Sequence, residues 1–87
     1  MNTSLTLTLR YFASIREALG QGSEPWTTEA PTLGALRDEL IARGGAYAEA
    51  LSRQRPVRLA LNQDLSDESA ALVPGAEVAF FPPVTGG

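Results

Sequence analysis

Only one stretch of the sequence carries an apolar stripe at helical spacing: Leu33, Leu36 and Leu40, with Ile41 at its margin. Elsewhere the apolar residues alternate. Ser4 to Phe12 (SLTLTLRYF) puts Leu5, Leu7, Leu9 and Tyr11 on one face and Thr6, Thr8, Arg10 and Phe12 on the other, the period of a half-buried strand. Val57 to Leu61 (VRLAL) repeats the pattern with Val57, Leu59 and Leu61 inward, and Glu77 to Phe81 does so with Val78 and Phe80. A single helical stripe among several strands of period two buries itself most directly under a mixed sheet, so the predicted class is α+β.

Local signals fill in the connections. Ser14-x-x-Glu17 has capping-box spacing and Gly20 is a natural stop, which predicts a short helix over 14–19. Glu24 to Glu29 around Trp26 reads as a strand returning beside the first. Thr32 is the expected N-cap of the main helix and Gly44-Gly45 its end, with Glu39 and Arg43 spaced as an i,i+4 pair. Ala46 to Leu51 suggests another short helical turn. Asn62-Gln63-Asp64 and Pro74-Gly75 read as turns, and Leu65 as the start of a short strand.

Composition narrows the chemistry. The 87 residues include no Cys, no His and no Lys, and all seven basic residues are Arg. No side chain therefore offers a thiol nucleophile, a zinc ligand set of His and Cys, a Schiff base, or a titration near neutrality. A net charge of −3 argues against a nucleic-acid partner, which calls for a basic stripe. No apolar run approaches a membrane span, and the opening MNTSLTLTLR lacks the pattern of a signal peptide, so the expectation is a cytoplasmic protein with no membrane partner.

Two features remain unexplained by a core. Phe81 falls on the face of its strand opposite Val78 and Phe80, and Phe12 falls on the polar face of its own. If the first and last strands are parallel neighbours, the two rings meet on the outer face, with Ala60 leaving the surface around them flat. A loop near Leu65 would cover them on one reading; on the other they form a docking patch. The second feature is the end of the sequence, FFPPVTGG. Pro82-Pro83 cannot extend a sheet and stiffens the exit, Val84-Thr85 favours extended backbone, and Gly86-Gly87 presents no side chain, so a narrow channel could admit it. Residues 1–81 are thus expected to fold and 82–87 to form a tail. The one group the tail presents is the α-carboxylate of Gly87, a poor electrophile unless a partner activates it as an acyl-adenylate.

The run Glu77-Val78-Ala79-Phe80-Phe81-Pro82-Pro83-Val84-Thr85-Gly86-Gly87 resembles the C-terminus of the molybdopterin synthase small subunits. Tyr11-Phe12-Ala13, Arg16-Glu17, Leu19-Gly20, Thr32-Leu33, Leu36-Arg37 and Leu61-Asn62-Gln63 are similar to that family as well, whereas 21–30 and 44–56 are not. The resemblance implies a β-grasp, or ubiquitin-like, sheet with its first and last strands parallel at the centre. It also implies a sulfur carrier with no cofactor of its own. An E1-like enzyme would use ATP to adenylate Gly87, which would become a thiocarboxylate and pass sulfur, inside the large synthase subunit, to cyclic pyranopterin monophosphate. The assembly implied is a heterotetramer. Gly86 and Gly87 would be the reacting end, with Pro82, Pro83, Val84 and Thr85 gripped by the partner. By the same analogy Phe12 and Phe81, with Leu65 and Arg16, would form the docking surface. The thiamine-pathway sulfur carriers share the fold and the Gly-Gly end but usually lack the Phe-Phe-Pro-Pro run. A ubiquitin-like protein modifier and a plain binding module are the remaining readings.

Overall fold

Each alternating segment of the sequence becomes a strand of one sheet, and the leucine stripe becomes the helix that covers it. The computed structural model describes residues 4–83. Its elements are β1 (Leu5–Tyr11), α1 (Ala13–Leu19), β2 (Ser23–Thr28), α2 (Leu33–Ile41), α3 (Gly45–Ala50), β3 (Arg58–Leu61), β4 (Asp64–Ser66) and β5 (Glu77–Phe81). The strand order is β2-β1-β5-β3-β4. β1 and β5 run parallel at the centre, with Tyr11 opposite Phe80, and the flanking pairs are antiparallel. This is the α+β arrangement of the β-grasp fold.

The core lies between the inner sheet face and α2. Leu7, Leu9 and Tyr11 of β1, Leu59 of β3, and Val78 and Phe80 of β5 meet Leu33, Leu36 and Leu40, and all are buried. Thr32 caps α2 as expected, its hydroxyl accepting from the Ala35 N–H at 3.2 Å. Gly20 ends α1 in the left-handed conformation, φ 76°, which a glycine adopts without a Cβ penalty.

Three local expectations change. The Ser14 capping box does not form. The helix starts one residue earlier, at Ala13, and the cap position is Phe12, whose side chain makes no capping bond. The Phe12 carbonyl accepts from the Ile15 and Arg16 amides instead. Gly44-Gly45 is not the immediate stop of α2, which ends at Ile41 with Ala42 as its cap; Gly44 is the N-cap of α3. The Glu39–Arg43 pair is not made, because each side chain has a better partner across the fold. Glu39 accepts from Trp26 Nε1 at 2.7 Å and Thr28 Oγ1 at 3.0 Å, and Arg43 turns to Glu24 at 3.2 Å.

Two polar clusters tie distant parts of the chain together. In the first, Glu24 on β2 accepts from the hydroxyls of Tyr11 at 2.8 Å and Tyr47 at 2.7 Å and pairs with Arg43. The Arg43 guanidinium lies 3.8 Å from the Tyr47 ring centroid and 4.7 Å from that of Trp26, within cation–π range of both. Tyr11 in turn stacks on Phe80, centroids 5.7 Å apart, so the cluster reaches the central strand pair. Burial, reinforced by the neighbouring Glu24 carboxylate, pushes the Tyr11 hydroxyl well above the usual phenol range, which keeps it a donor. In the second cluster the buried Arg37 donates to the carbonyls of Leu51, Ser52 and Arg55 at 2.8, 2.7 and 3.2 Å and pairs with Glu68 at 2.9 Å. Arg53 also bonds Glu68 and Asp38. One cation thereby satisfies the turn that leads from α3 to β3.

Both carboxylates titrate below the usual range. For Glu24 burial opposes ionisation, but the bonds from Tyr47 and Tyr11 and the Arg43 charge outweigh it. For Glu68 the Arg53 hydrogen bond is the largest influence and lowers it against a smaller cost of burial. A carboxyl held low in the folded state stabilises the fold above its unfolded value, about 4.3, and loses that contribution as pH falls through the folded one. Urea midpoints should therefore hold from neutrality to about pH 5 and then drop on acidification. Glu24→Gln should be less stable at neutral pH and show a shallower acid limb; an unchanged acid slope would exclude Glu24 as a source. The β3–β4 hairpin yields a second test. Leu61 pairs with Asp64, leaving Asn62 and Gln63 as a two-residue loop with φ of 51° and 72°. Gln63→Gly relieves the left-handed strain and should raise unfolding free energy by about 0.5–1 kcal/mol, read from urea melts.

Candidate docking surface and tail exit

The outer face of the sheet follows from strand parity. Arg10 stands opposite Ala79, Ala79 opposite Ala60, and Ala60 opposite Leu65, forming one row across β1, β5, β3 and β4. The next row holds Phe81 opposite Arg58. The Phe12 amide donates to the Phe80 carbonyl at 3.1 Å, carrying the parallel ladder one step past β1 and setting Phe12 beside Phe81. Phe12 is 41% exposed and Leu65 65%, so neither is covered by a loop. Phe81 is half-buried. Ala60 and Ala79 leave a low floor between the bulkier side chains, as small residues in mid-sheet do.

Charge edges this apolar surface. Arg10 sits 5.5 Å over the Phe12 ring and pairs with Glu77 at 3.7 Å, while Arg58 is exposed beside Phe81. An apolar centre with a charged rim is the anatomy of a protein interface. Exposed ion pairs of this kind contribute little to stability and are free to exchange partners.

The residues singled out from sequence do not all converge. Phe12, Phe81 and Leu65 share the outer face. Arg16 stands on α1 at the adjoining end of the sheet, its stem so close to Gly22 that a methyl there would meet Nε at 3.1 Å. Arg16 thus stands against the turn that leads into β2, while Leu65 closes the outer row on β4. Pro82 and Pro83 are half-buried and follow directly on the last residue of β5. Val84, Thr85, Gly86 and Gly87 lie outside the described residues. Among the described residues no group of His, Cys, Asp or Glu is placed to hold a metal ion, and no helix is long and apolar enough to cross a membrane.

Sequence reasoning missed the Tyr11–Glu24–Tyr47–Arg43 cluster that backs this surface through Phe80. Its signal was there: Glu24 shares a strand face with Trp26, and a carboxylate on an inward face needs donors. It also missed Ala13, whose φ of 52° turns the chain from β1 into α1 directly after Phe12. That left-handed backbone costs about 1–2 kcal/mol for a residue with a Cβ.

The geometry has counterparts in known proteins. Residues 9–87 match the model of the ThiS family. The molybdopterin synthase sulfur carrier subunit of Escherichia coli is 40% identical over 77 residues, covering 88% of this chain and 94% of that protein. Among solved structures, the HVO 2177 protein of Haloferax volcanii superposes with a TM-score of 0.79 at 31% identity, over 100% of this chain and 91% of that one. A chain in the complex of subunits 1 and 2 of molybdopterin-converting factor from Helicobacter pylori superposes with a TM-score of 0.64 at 27% identity, over 95% and 100%. The family match spans residues 9–87, and the chain belongs to the ThiS family, close in sequence to molybdopterin synthase sulfur carrier subunits.

Proposed function

We propose that this chain is the sulfur carrier of a molybdopterin synthase, with the Gly87 carboxyl as its reacting group. The observation that carries the reading is the exit of the chain: β5 ends at Phe81 beside the exposed Phe12, and Pro82-Pro83 leads from there toward the Gly-Gly end. A partner that grips the outer face of the sheet is thereby placed to receive the tail.

The chemistry follows from what the chain lacks. It has no Cys, His or Lys, so activation comes from outside. An E1-like enzyme binds the outer face, and the Gly87 carboxylate attacks the α-phosphate of ATP, releasing pyrophosphate and forming the acyl-adenylate. A sulfur donor at the sulfide level then displaces AMP, leaving the thiocarboxylate. The carrier exchanges this enzyme for the large synthase subunit, with Gly86 and Gly87 threaded into its site and Val84 and Thr85 spanning the approach. There the thiocarboxylate sulfur forms a carbon–sulfur bond to cyclic pyranopterin monophosphate, and water cleaves the acyl–sulfur bond, which leaves the sulfur on the acceptor and returns the Gly87 carboxylate. General acids and bases belong to the partner; this chain supplies reach, orientation and a dockable face. The complex of two converting-factor subunits from Helicobacter pylori supports a large-subunit partner of this kind.

Intact mass tests the carboxyl directly. Co-expressed with the activating enzyme and a sulfur source, the chain should gain the mass of sulfur replacing one oxygen at Gly87, and one residue appended after Gly87 should abolish that gain while leaving the fold intact. Persistent absence of the sulfur adduct would sink the carrier reading, and conjugates of higher mass in cell extracts would point to a protein modifier. The docking face has its own test. Phe12→Glu and Leu65→Glu change exposed side chains, so melting should shift little, by about 0.5 kcal/mol or less. Affinity for the large subunit should fall on the order of tenfold or more. Equal affinity in the folded variants would show that these side chains are not the contact.

A further inference from the structure

The sheet's outer face is not the one surface beside the tail. On the helix side, a cleft of about 560 Å³ opens between α1, α3 and the segment leading into β3. Its floor is the buried Ile15 and Ala50, and its flanks include Ala18 and Ala46. One wall is Pro82-Pro83, the root of the tail. Arg55 stands at the rim. Its nearest carboxylate, Glu49, is 3.6 Å away in a pair whose members are both more than half exposed, so the guanidinium is available to a better-placed anion.

We propose that this cleft is the resting berth of the chain's own C-terminal segment, Val84 to Gly87. Four residues follow Pro83, and extended they span about 13 Å, enough to cross the cleft from the wall they leave. The chemistry of the segment matches the cleft in order. Val84 comes first and is apolar, suited to the alanine-lined flank; Thr85 is small; Gly86-Gly87 brings no side chain and ends in a carboxylate that Arg55 can receive. Ordering the segment costs conformational entropy that largely offsets burial of one valine, so berthed and free tails interconvert. A partner that grips the outer face then withdraws the tail at little expense. The contact would keep the carboxyl group from solvent and from stray enzymes until a partner docks. That purpose rests on the carrier reading, whereas the contact itself does not.

The chain has no Cys, so Thr85→Cys admits a single nitroxide label on the full-length protein. In the isolated labelled chain, the resonances of Ala18, Ala46 and Ala50 should lose most of their intensity, while Ala60 and Leu65 on the outer face keep theirs. Adding Ala18→Glu, an exposed substitution that sets a carboxylate in the flank, should restore the cleft signals without moving the rest of the spectrum. Loss spread evenly over the molecule, or centred on the outer face, overturns the berth. So does cleft broadening that appears only between isotope-labelled and nitroxide-bearing copies in a mixed sample, which would make the occupant a second molecule. If no cleft pattern appears but the thiocarboxylate forms, the berth fails and the carrier reading stands; a cleft pattern with no sulfur adduct preserves the berth and removes the carrier reading.

Discussion

The parallel pairing of β1 with β5 is the constraint on which the rest depends. Strands from opposite ends of the chain meet at the centre of the sheet, Tyr11 against Phe80. Parallel neighbours need a long crossover, and here that crossover is almost the whole protein, including the helix that covers the inner face. Because the strands run the same way, their C-terminal ends emerge together. That puts Phe12, the start of α1 and the root of the tail at one end of the molecule. The stacking of Tyr11 on Phe80 and the bond from the Phe12 amide to the Phe80 carbonyl reinforce this junction from the core side and along the ladder.

From that junction the protein presents two unlike surfaces. The outer one is flat, apolar in the middle and charged at its edges, and suits a large partner. The inner one is a cleft between short helices, walled by the prolines themselves. Pro82-Pro83, the root of the tail, borders both. The polar clusters around Glu24 and Arg37 cross-link the folded body. Glu24 gives two part-buried tyrosine hydroxyls their acceptor, and Arg37 satisfies carbonyls of the turn after α3, bonds that would otherwise go unmade.

Much of this was legible from residue order. Alternation located β1, β3 and β5, the leucine stripe located α2, and Thr32 marked its cap. The positions of Phe12 and Phe81 on the polar faces of their strands already singled them out. Helix ends were less legible. Ser14 has the residue type and spacing of a capping box, yet the backbone turns at Ala13 and the Phe12 carbonyl takes the first amides. Glu39 and Arg43 have the spacing of a helical pair, yet Trp26, Thr28 and Glu24 offer contacts with more burial and better geometry. A local rule states what neighbours along the chain can do; it does not weigh offers from across the fold.

By itself the sequence determined that an α+β domain would form, which faces would be apolar, and that no side chain would bring its own thiol, imidazole or amine to a reaction. These are properties of period and composition, set wherever the chain goes. Only the tertiary structure decided that Phe12, Phe81 and Leu65 share a face while Arg16 stands at its end, that Glu24 gathers two tyrosines and an arginine, and that a cleft opens beside Pro82-Pro83. Each of those depends on strand order and register, which join residues far apart in the chain. The physical reason is the same in every case: a buried polar group or an apolar face is satisfied by whatever the sheet brings within a few ångströms, and sequence distance carries no record of that.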